Sequence, residues 1–317
     1  MNLSAQTNRV HYLIRANPFK TIDSIADFID KNLYLTSNKD IALLNKPPGF
    51  VLSDKSKDTK YFIPVVKETI KQKLKWSNAL RLPFLTDDQA GIFMFVSNKN
   101  TFDLVKKTMK VTFPSQHIPF LKFYGITTFI PGVKKDSQVI HVKYENIHND
   151  LLNFEVLNPS KNEFKTNKVL SYQIEHEIVD VNKDLNVALV RFNTSWHYGD
   201  GILYYSIKNL FPILGDHRYS PRVKTILGKP VLVAKQREFK PSTQVLSQNI
   251  LNCLQINDYL RDVVPLHLQL YQINMEKKFK KQSIVLKQQV PLQDYFKQTL
   301  KNLCLNIPNE DELEKIN

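Results

Sequence analysis

Residues 85–96 read Leu-Thr-Asp-Asp-Gln-Ala-Gly-Ile-Phe-Met-Phe-Val. The polar half closes on Gly91, and Ile92 to Val96 is an unbroken apolar run. Five apolar residues bounded by turn formers predict a strand buried on both faces. Asp87 and Asp88 ahead of a glycine are ordinary turn chemistry. An acidic turn feeding a buried strand is also a place where a carboxylate is held still enough to react. The stretch alone leaves both readings open.

Upstream, Ile22, Ile25, Phe28, Ile29 and Leu33 recur at helical spacing, with Asp23 placed to complement the helix dipole. A short strand is expected over residues 40–44, running into Asn45-Lys46-Pro47-Pro48-Gly49, where paired prolines and a glycine make a rigid corner. Pro64 suits the start of a helix with Val66, Ile70 and Leu74 on one face. Thr101 opens another, turning Phe102, Val105 and Met109 inward.

Downstream, strands are predicted at residues 122–130, 139–144, 169–176 and 187–192, joined by hydrophilic connections at 133–138, 146–150 and 158–168. Pro-Leu-His-Leu-Gln-Leu-Tyr-Gln-Ile at 265–273 alternates with period two and reads as a half-buried strand, with His267 on its polar side. A final helix through Leu292, Tyr295, Phe296, Leu300 and Leu303 is expected to dock on the core. Strands fill the middle and helices the flanks without regular alternation, so the fold class is α+β rather than doubly wound.

The chain has 317 residues, enough for one elaborate domain or two modest ones. Its net charge of +14 favours a polyanionic partner, nucleic acid before membrane. A membrane-surface role wants an amphipathic Lys-rich helix with Trp or Phe opposite, which is not apparent. No apolar run approaches the length of a membrane span. Cys253 and Cys304, far apart, indicate neither a disulfide framework nor a zinc site, and no cofactor is expected. Lys277, Lys278, Lys280, Lys281 and Lys287 surround Phe279 in a basic cluster suited to phosphate and base contacts. Residues 1–22 carry Arg9, Arg15 and Lys20 with no acid before Asp23, a composition compatible with organelle targeting.

Several pieces, in order, resemble the RluA-type RNA pseudouridine synthases, particularly their mitochondrial branch. Asn45-Lys46-Pro47-Pro48-Gly49 is similar to the family's Asn-Lys-Pro-x-Gly. Asp88-Gln89-Ala90-Gly91 and its apolar strand resemble the end of the catalytic motif His-Arg-Leu-Asp-x-Asp-Thr-Ser-Gly. Lys122-Phe123-Tyr124 resembles Lys-x-Tyr, and residues 212–219, Pro-Ile-Leu-Gly-Asp-His-Arg-Tyr, resemble Pro-Ile-Leu-Gly-Asp-His-Lys-Tyr. Pro265-Leu266-His267-Leu268 and Ile307-Pro308-Asn309-Glu310-Asp311 complete the series.

The resemblance implies the pseudouridine synthase fold, a central, mostly antiparallel mixed sheet flanked by helices, over residues 39–317. Residues 1–38 would be an N-terminal extension and helix. It also implies RNA as partner, in mitochondrial mRNA handling or ribosomal large-subunit assembly, with the mitochondrial matrix ahead of nucleus or cytoplasm as compartment. The RNA would lie near Asn45, Lys46, Thr86 to Asp88, Tyr124, Arg218 and His267, with Lys277, Lys278, Lys280 and Lys281 as an auxiliary surface. Counting back from Gly91, the family's catalytic aspartate falls on Thr86, and counting back from Pro212, its arginine partner falls on Leu203. Tyr124 keeps the tyrosine that packs on uracil. The resemblance therefore implies a scaffold without its acid and guanidinium, a coherent pair of losses because either charge buried alone is costly. Asp87, one residue along, is the candidate for a retained carboxylate, so an active synthase stays open as the alternative.

Overall fold

The computed structural model describes residues 22–36, 39–48, 62–82, 85–115, 121–147, 150–155, 159–166, 169–194, 200–233, 243–257, 264–278 and 283–308. The N-terminal helix α1 (Ile22–Asn32) leads into β1 (Leu33–Leu35) and β2 (Ile41–Lys46). Helix α2 (Phe62–Leu74) follows, then β3 (Leu80–Leu82) and β4 (Ala90–Val96). Next come α3 (Lys99–Ser115), β5 (Leu121–Thr127), β6 (Lys135–Ile147) and β7 (Asp150–Glu155). A short α4 (Lys161–Lys165) precedes the long β8 (Val169–Asn182) and β9 (Val187–Thr194). The chain continues through α5 (Gly201–Lys208), the strands β10 (Val223–Ile226) and β11 (Lys229–Leu232), and α6 (Gln248–Leu254). It ends with β12 (Leu268–Lys278), β13 (Ser283–Gln289) and α7 (Asp294–Asn302).

Eleven strands form one sheet in the order β1-β2-β4-β12-β5-β9-β8-β6-β7, with β13 on β12 and β3 on β4. The β12–β4 pairing is parallel and the others are antiparallel. Every residue of β4 is buried, as its unbroken apolar run predicts. Leu43, Ile92, Phe123, Val190, Phe192 and Leu268 belong to one large core cluster. Tyr124, Tyr271, Tyr295, Phe296 and Leu300 belong to a second, to which α6 and α7 contribute. Ile25, Ile29, Val66, Ile70, Phe93 and Phe95 bind α1 and α2 to β2 and β4. Within the span assigned above to an extension ending at 38, β1 forms an edge of the same sheet by pairing with β2, and α1 packs Ile25 and Ile29 into the cluster beside it.

Three expectations shift. The connection read at 133–138 is mostly the start of β6, and β7 pairs with its end. The polar side of β12 is not exposed: Gln269 and Gln272 are buried along with Leu268 and Leu270. Pro64 lies in the first turn of α2 rather than at its start. Residues 1–21, Met109's side chain, Phe279, and Asn309 to Asp311 lie outside what is described.

Gly91 has φ +110°, and a Cβ there would stand 2.0 Å from the carbonyl oxygen of Leu270. Glycine is what lets β4 approach β12 closely enough to pair.

Candidate nucleic-acid interface

The acidic stretch folds into a reciprocal turn. Gln89 N–H donates to the Thr86 carbonyl at 3.3 Å, and Thr86 N–H donates to Gln89 Oε1 at 3.1 Å. Asp87 and Asp88 are the corner residues, Asp87 half-buried and Asp88 exposed. Gln89 is fully buried, so the side chain that closes the turn is held away from water.

Beneath the turn lies Lys46, also fully buried. Its Nζ donates to the carbonyls of Asp87 at 2.8 Å and Pro47 at 3.0 Å. Burial drives its pKa down to about 7, against the pull of Asp87 and then Asp88 in the opposite direction. Asn45, also buried, donates to the Pro291 carbonyl at 3.0 Å, and Gln269 Nε2 donates to the same oxygen at 2.9 Å. Gln293 closes this knot, its N–H on Gln269 Oε1 and its Nε2 on the Asn45 carbonyl. Both polar residues of the corner therefore tie β2 to its surroundings.

Across the sheet, Ala90, Gln269, Tyr124, Arg191 and Glu177 occupy one row of paired positions. Tyr124 is thus two strand spacings from the start of β4, roughly 10 Å. Its ring is 5% exposed and stacks on Tyr271, centroids 4.2 Å apart and planes 20° from parallel. Burial, followed by the charge and hydrogen bond of Tyr124, holds the Tyr271 phenol above its usual range. Arg191 neighbours both tyrosines electrostatically and pairs with Glu177. The sequence reading missed Tyr271, Arg191 and Glu177. The available signal was Arg191 itself, which interrupts an apolar strand, and Tyr271, two residues along the same face from Gln269.

The segment at 212–219 packs where β5 and β12 meet. Leu214 N–H donates to the Ile126 carbonyl, and His267 N–H to the Leu214 carbonyl, each at 2.8 Å. Gly215, φ +81°, would put a Cβ 1.9 Å from the Pro265 carbonyl oxygen. Asp216 accepts the N–H groups of Arg218, Tyr219 and Ser220, a pattern that favours the carboxylate, yet burial pushes it up to about 7. His217 and Asp216 do not form a catalytic pair: His217 Nε2 meets the Val264 carbonyl at 2.8 Å, and Nδ1 accepts from Gln244 N–H at 3.2 Å. Arg218 pairs with the buried Asp200, which also accepts from Tyr219 Oη at 2.7 Å. The Arg218 side chain is 55% exposed, so its outer face remains open to a ligand.

Leu203, on α5, is 4% exposed and sits in the apolar cluster that also contains Leu85 and Leu82. His267 corrects an expectation. It is fully buried, between the Pro265 carbonyl at 2.7 Å and Thr299 Oγ1 at 2.8 Å, and burial lowers its pKa to about 3. A neutral histidine packed against α7 has no surface to offer RNA. Lys277 and Lys278 occupy the end of β12, with side chains outside the described set, as are Lys280 and Lys281.

The chain is 25% identical over 271 residues to human mitochondrial mRNA pseudouridine synthase RPUSD3, an alignment covering 84% of this chain and 74% of that protein. The mouse protein of the same name is 23% identical over 270 residues, covering 84% and 76%. No family model matches. The fold superposes on the solved structure of human RNA Pseudouridylate Synthase Domain Containing 4 with a TM-score of 0.64 and 18% identity, over 91% of this chain and 98% of that one. Its motifs stand in the order of the RluA-type pseudouridine synthases and its sheet has the fold of that solved structure, so the chain is similar to this family in sequence and shares its fold.

Proposed function

We propose that this protein binds RNA on a pseudouridine synthase scaffold without carrying out the isomerisation, and that it acts on mitochondrial transcripts. The observation that carries the proposal is Leu203. An aliphatic side chain, 4% exposed and clustered with Leu85, occupies the position that the family resemblance assigns to the arginine facing the catalytic aspartate. Thr86, at the position of that aspartate, has a hydroxyl that would need a base to act as a nucleophile. The net charge of +14 supports contact with phosphates whether or not chemistry follows. The names of the human and mouse relatives support mitochondrial mRNA as the partner, and ribosomal large-subunit RNA is the second candidate.

One observation favours a second reading, an active synthase using Asp87. The Lys46 amine lies beside this residue, and Asp87 is its strongest carboxylate neighbour. Purified protein incubated with uridine-rich mitochondrial transcripts, followed by mass spectrometry of the digested RNA, separates the two. The expected result is binding that weakens steeply between about 50 and 200 mM salt, with no pseudouridine formed. Pseudouridine made by the wild type but not by Asp87→Asn establishes the second reading, and salt-independent binding counts against both.

A further inference from the structure

The strands β10 and β11 stand apart from the main sheet as a two-stranded ribbon. Its base is anchored: Val223 is buried, and Leu232 packs against the cluster containing Leu203, Tyr204 and Tyr219. Val233 N–H donates to the Arg222 carbonyl at 2.8 Å, closing the ladder. Its tip is bare. Ile226 is 51% exposed and Leu227 98%.

Leu227 is misplaced by two independent standards. Its φ is +49° and that of Gly228 +76°, the two left-handed corners of a primed hairpin turn. That turn favours Asn-Gly or Asp-Gly, and leucine is among the residues least suited to its first corner. Full exposure of so large an apolar side chain brings no burial to offset that strain. A strained corner that is also a fully exposed apolar side chain points to a contact outside the protein.

The register shows what that is. Lys224 faces Val231 and Ile226 faces Lys229, so one face of the ribbon interleaves two exposed cations with two apolar side chains. Arg222 stands at the base, and residues 220–233 contain no acid. We propose that this hairpin is an RNA wedge: Leu227 and Ile226 enter beside an unpaired nucleotide and unstack its neighbour, while Lys224 and Lys229 hold the flanking phosphates. The proposal rests on the RNA-binding reading above and adds a second contact, rooted in the same apolar cluster as Leu203. Apolar wedges between base steps, paired with phosphate contacts, are an established way of opening a stack. A lipid surface fits the face less well. Lys229 lies directly across from Ile226, so sinking the tip into acyl chains would take an ammonium with it.

The test uses the full chain and an RNA stem with a single bulged uridine, carrying 2-aminopurine beside the bulge. Wild type should raise the 2-aminopurine fluorescence on binding. Leu227→Asn suits the turn and should unfold at the same temperature or higher. It should bind about tenfold more weakly, without the fluorescence rise and with an unchanged salt slope. The Lys224→Ala/Lys229→Ala variant should instead flatten the salt slope by about two. Equal binding and fluorescence for wild type and Leu227→Asn overturns the wedge and leaves the RNA reading standing. Absence of RNA binding by wild type overturns both. Leu227-dependent capture by phosphatidylcholine–phosphatidylserine vesicles, with no Leu227 dependence toward RNA, overturns the wedge in favour of a membrane.

Discussion

The Nζ of Lys46 lies 2.8 Å from the carbonyl oxygen of Asp87, so the last residue of β2 holds up the turn that presents both corner acids. Burial lowers this amine from 10.5 to about 7. Across that window the unfolded chain binds a proton that the native one does not. Stability therefore rises with pH from about 7 to about 10.5, and the penalty is fully present below it. Lys46→Met removes the group from both states. The stability of wild type relative to this variant should climb between about pH 7.5 and 10, by at most about 1.4 kcal/mol per unit. Urea unfolding at matched pH measures it, and a flat difference would show that the amine is not desolvated.

Gly91→Ala should be severe. The new methyl would meet the Leu270 carbonyl at 2.0 Å in a backbone conformation that alanine disfavours. The parallel β4–β12 contact has to open, at a cost of roughly 3 kcal/mol or more. Gly132→Ala is the control: a Cβ there has nothing within 4 Å, and its effect should stay within about 0.5 kcal/mol. Thermal unfolding of the two proteins side by side tests the difference.

Asp200 is buried between Arg218 and Tyr219. Asp200→Asn replaces a charged acceptor with an amide and leaves Arg218 without its counter-ion. A loss of roughly 2–3 kcal/mol is expected. Arg218→Gln strands a buried acid but leaves the bond from Tyr219 in place. If Arg218 also meets phosphate, Arg218→Gln should weaken RNA binding and shallow its salt slope by about one.

His267 should behave as a core residue. With a native pKa near 3 and an unfolded value of 6.5, it costs stability as pH falls through that interval, because only the unfolded chain takes up the proton. Its imidazole resonances should show no titration above about pH 4. His267→Gln should lower the unfolding temperature and leave the RNA affinity of folded protein unchanged; a selective loss of affinity would return the residue to the interface.

Much of the fold was legible because β4, inside the sheet, is buried on both faces. Such a strand writes an unbroken apolar run into the chain, as Ile92 to Val96 does. β12 was legible in type but not in surroundings. Period two separates the faces of a strand, but it does not say whether the polar face meets water or, as with Gln269 and His267, carbonyls and hydroxyls of distant segments. β7 was hidden because its neighbouring connection is hydrophilic. The wedge hairpin was hidden because Leu-Gly lacks the usual signal of a primed turn. At the site, the order of the motifs located the Thr86 turn and Tyr124. The buried amine of Lys46 and the Tyr271–Arg191–Glu177 chain arise from strand pairing between segments far apart in sequence, which local pattern does not encode.

The position of β12, between β4 and β5, also governs how the protein is made. The strands β4 and β5 are synthesised well before β12, the strand that pairs with both. Until it arrives, the start of β4 and one flank of β5 present open hydrogen-bonding edges, a standing invitation to self-association. Non-local closure of this kind slows folding. Truncations before residue 268 should therefore aggregate rather than yield a working N-terminal half, and co-expressed chaperones should raise the recovery of the whole chain.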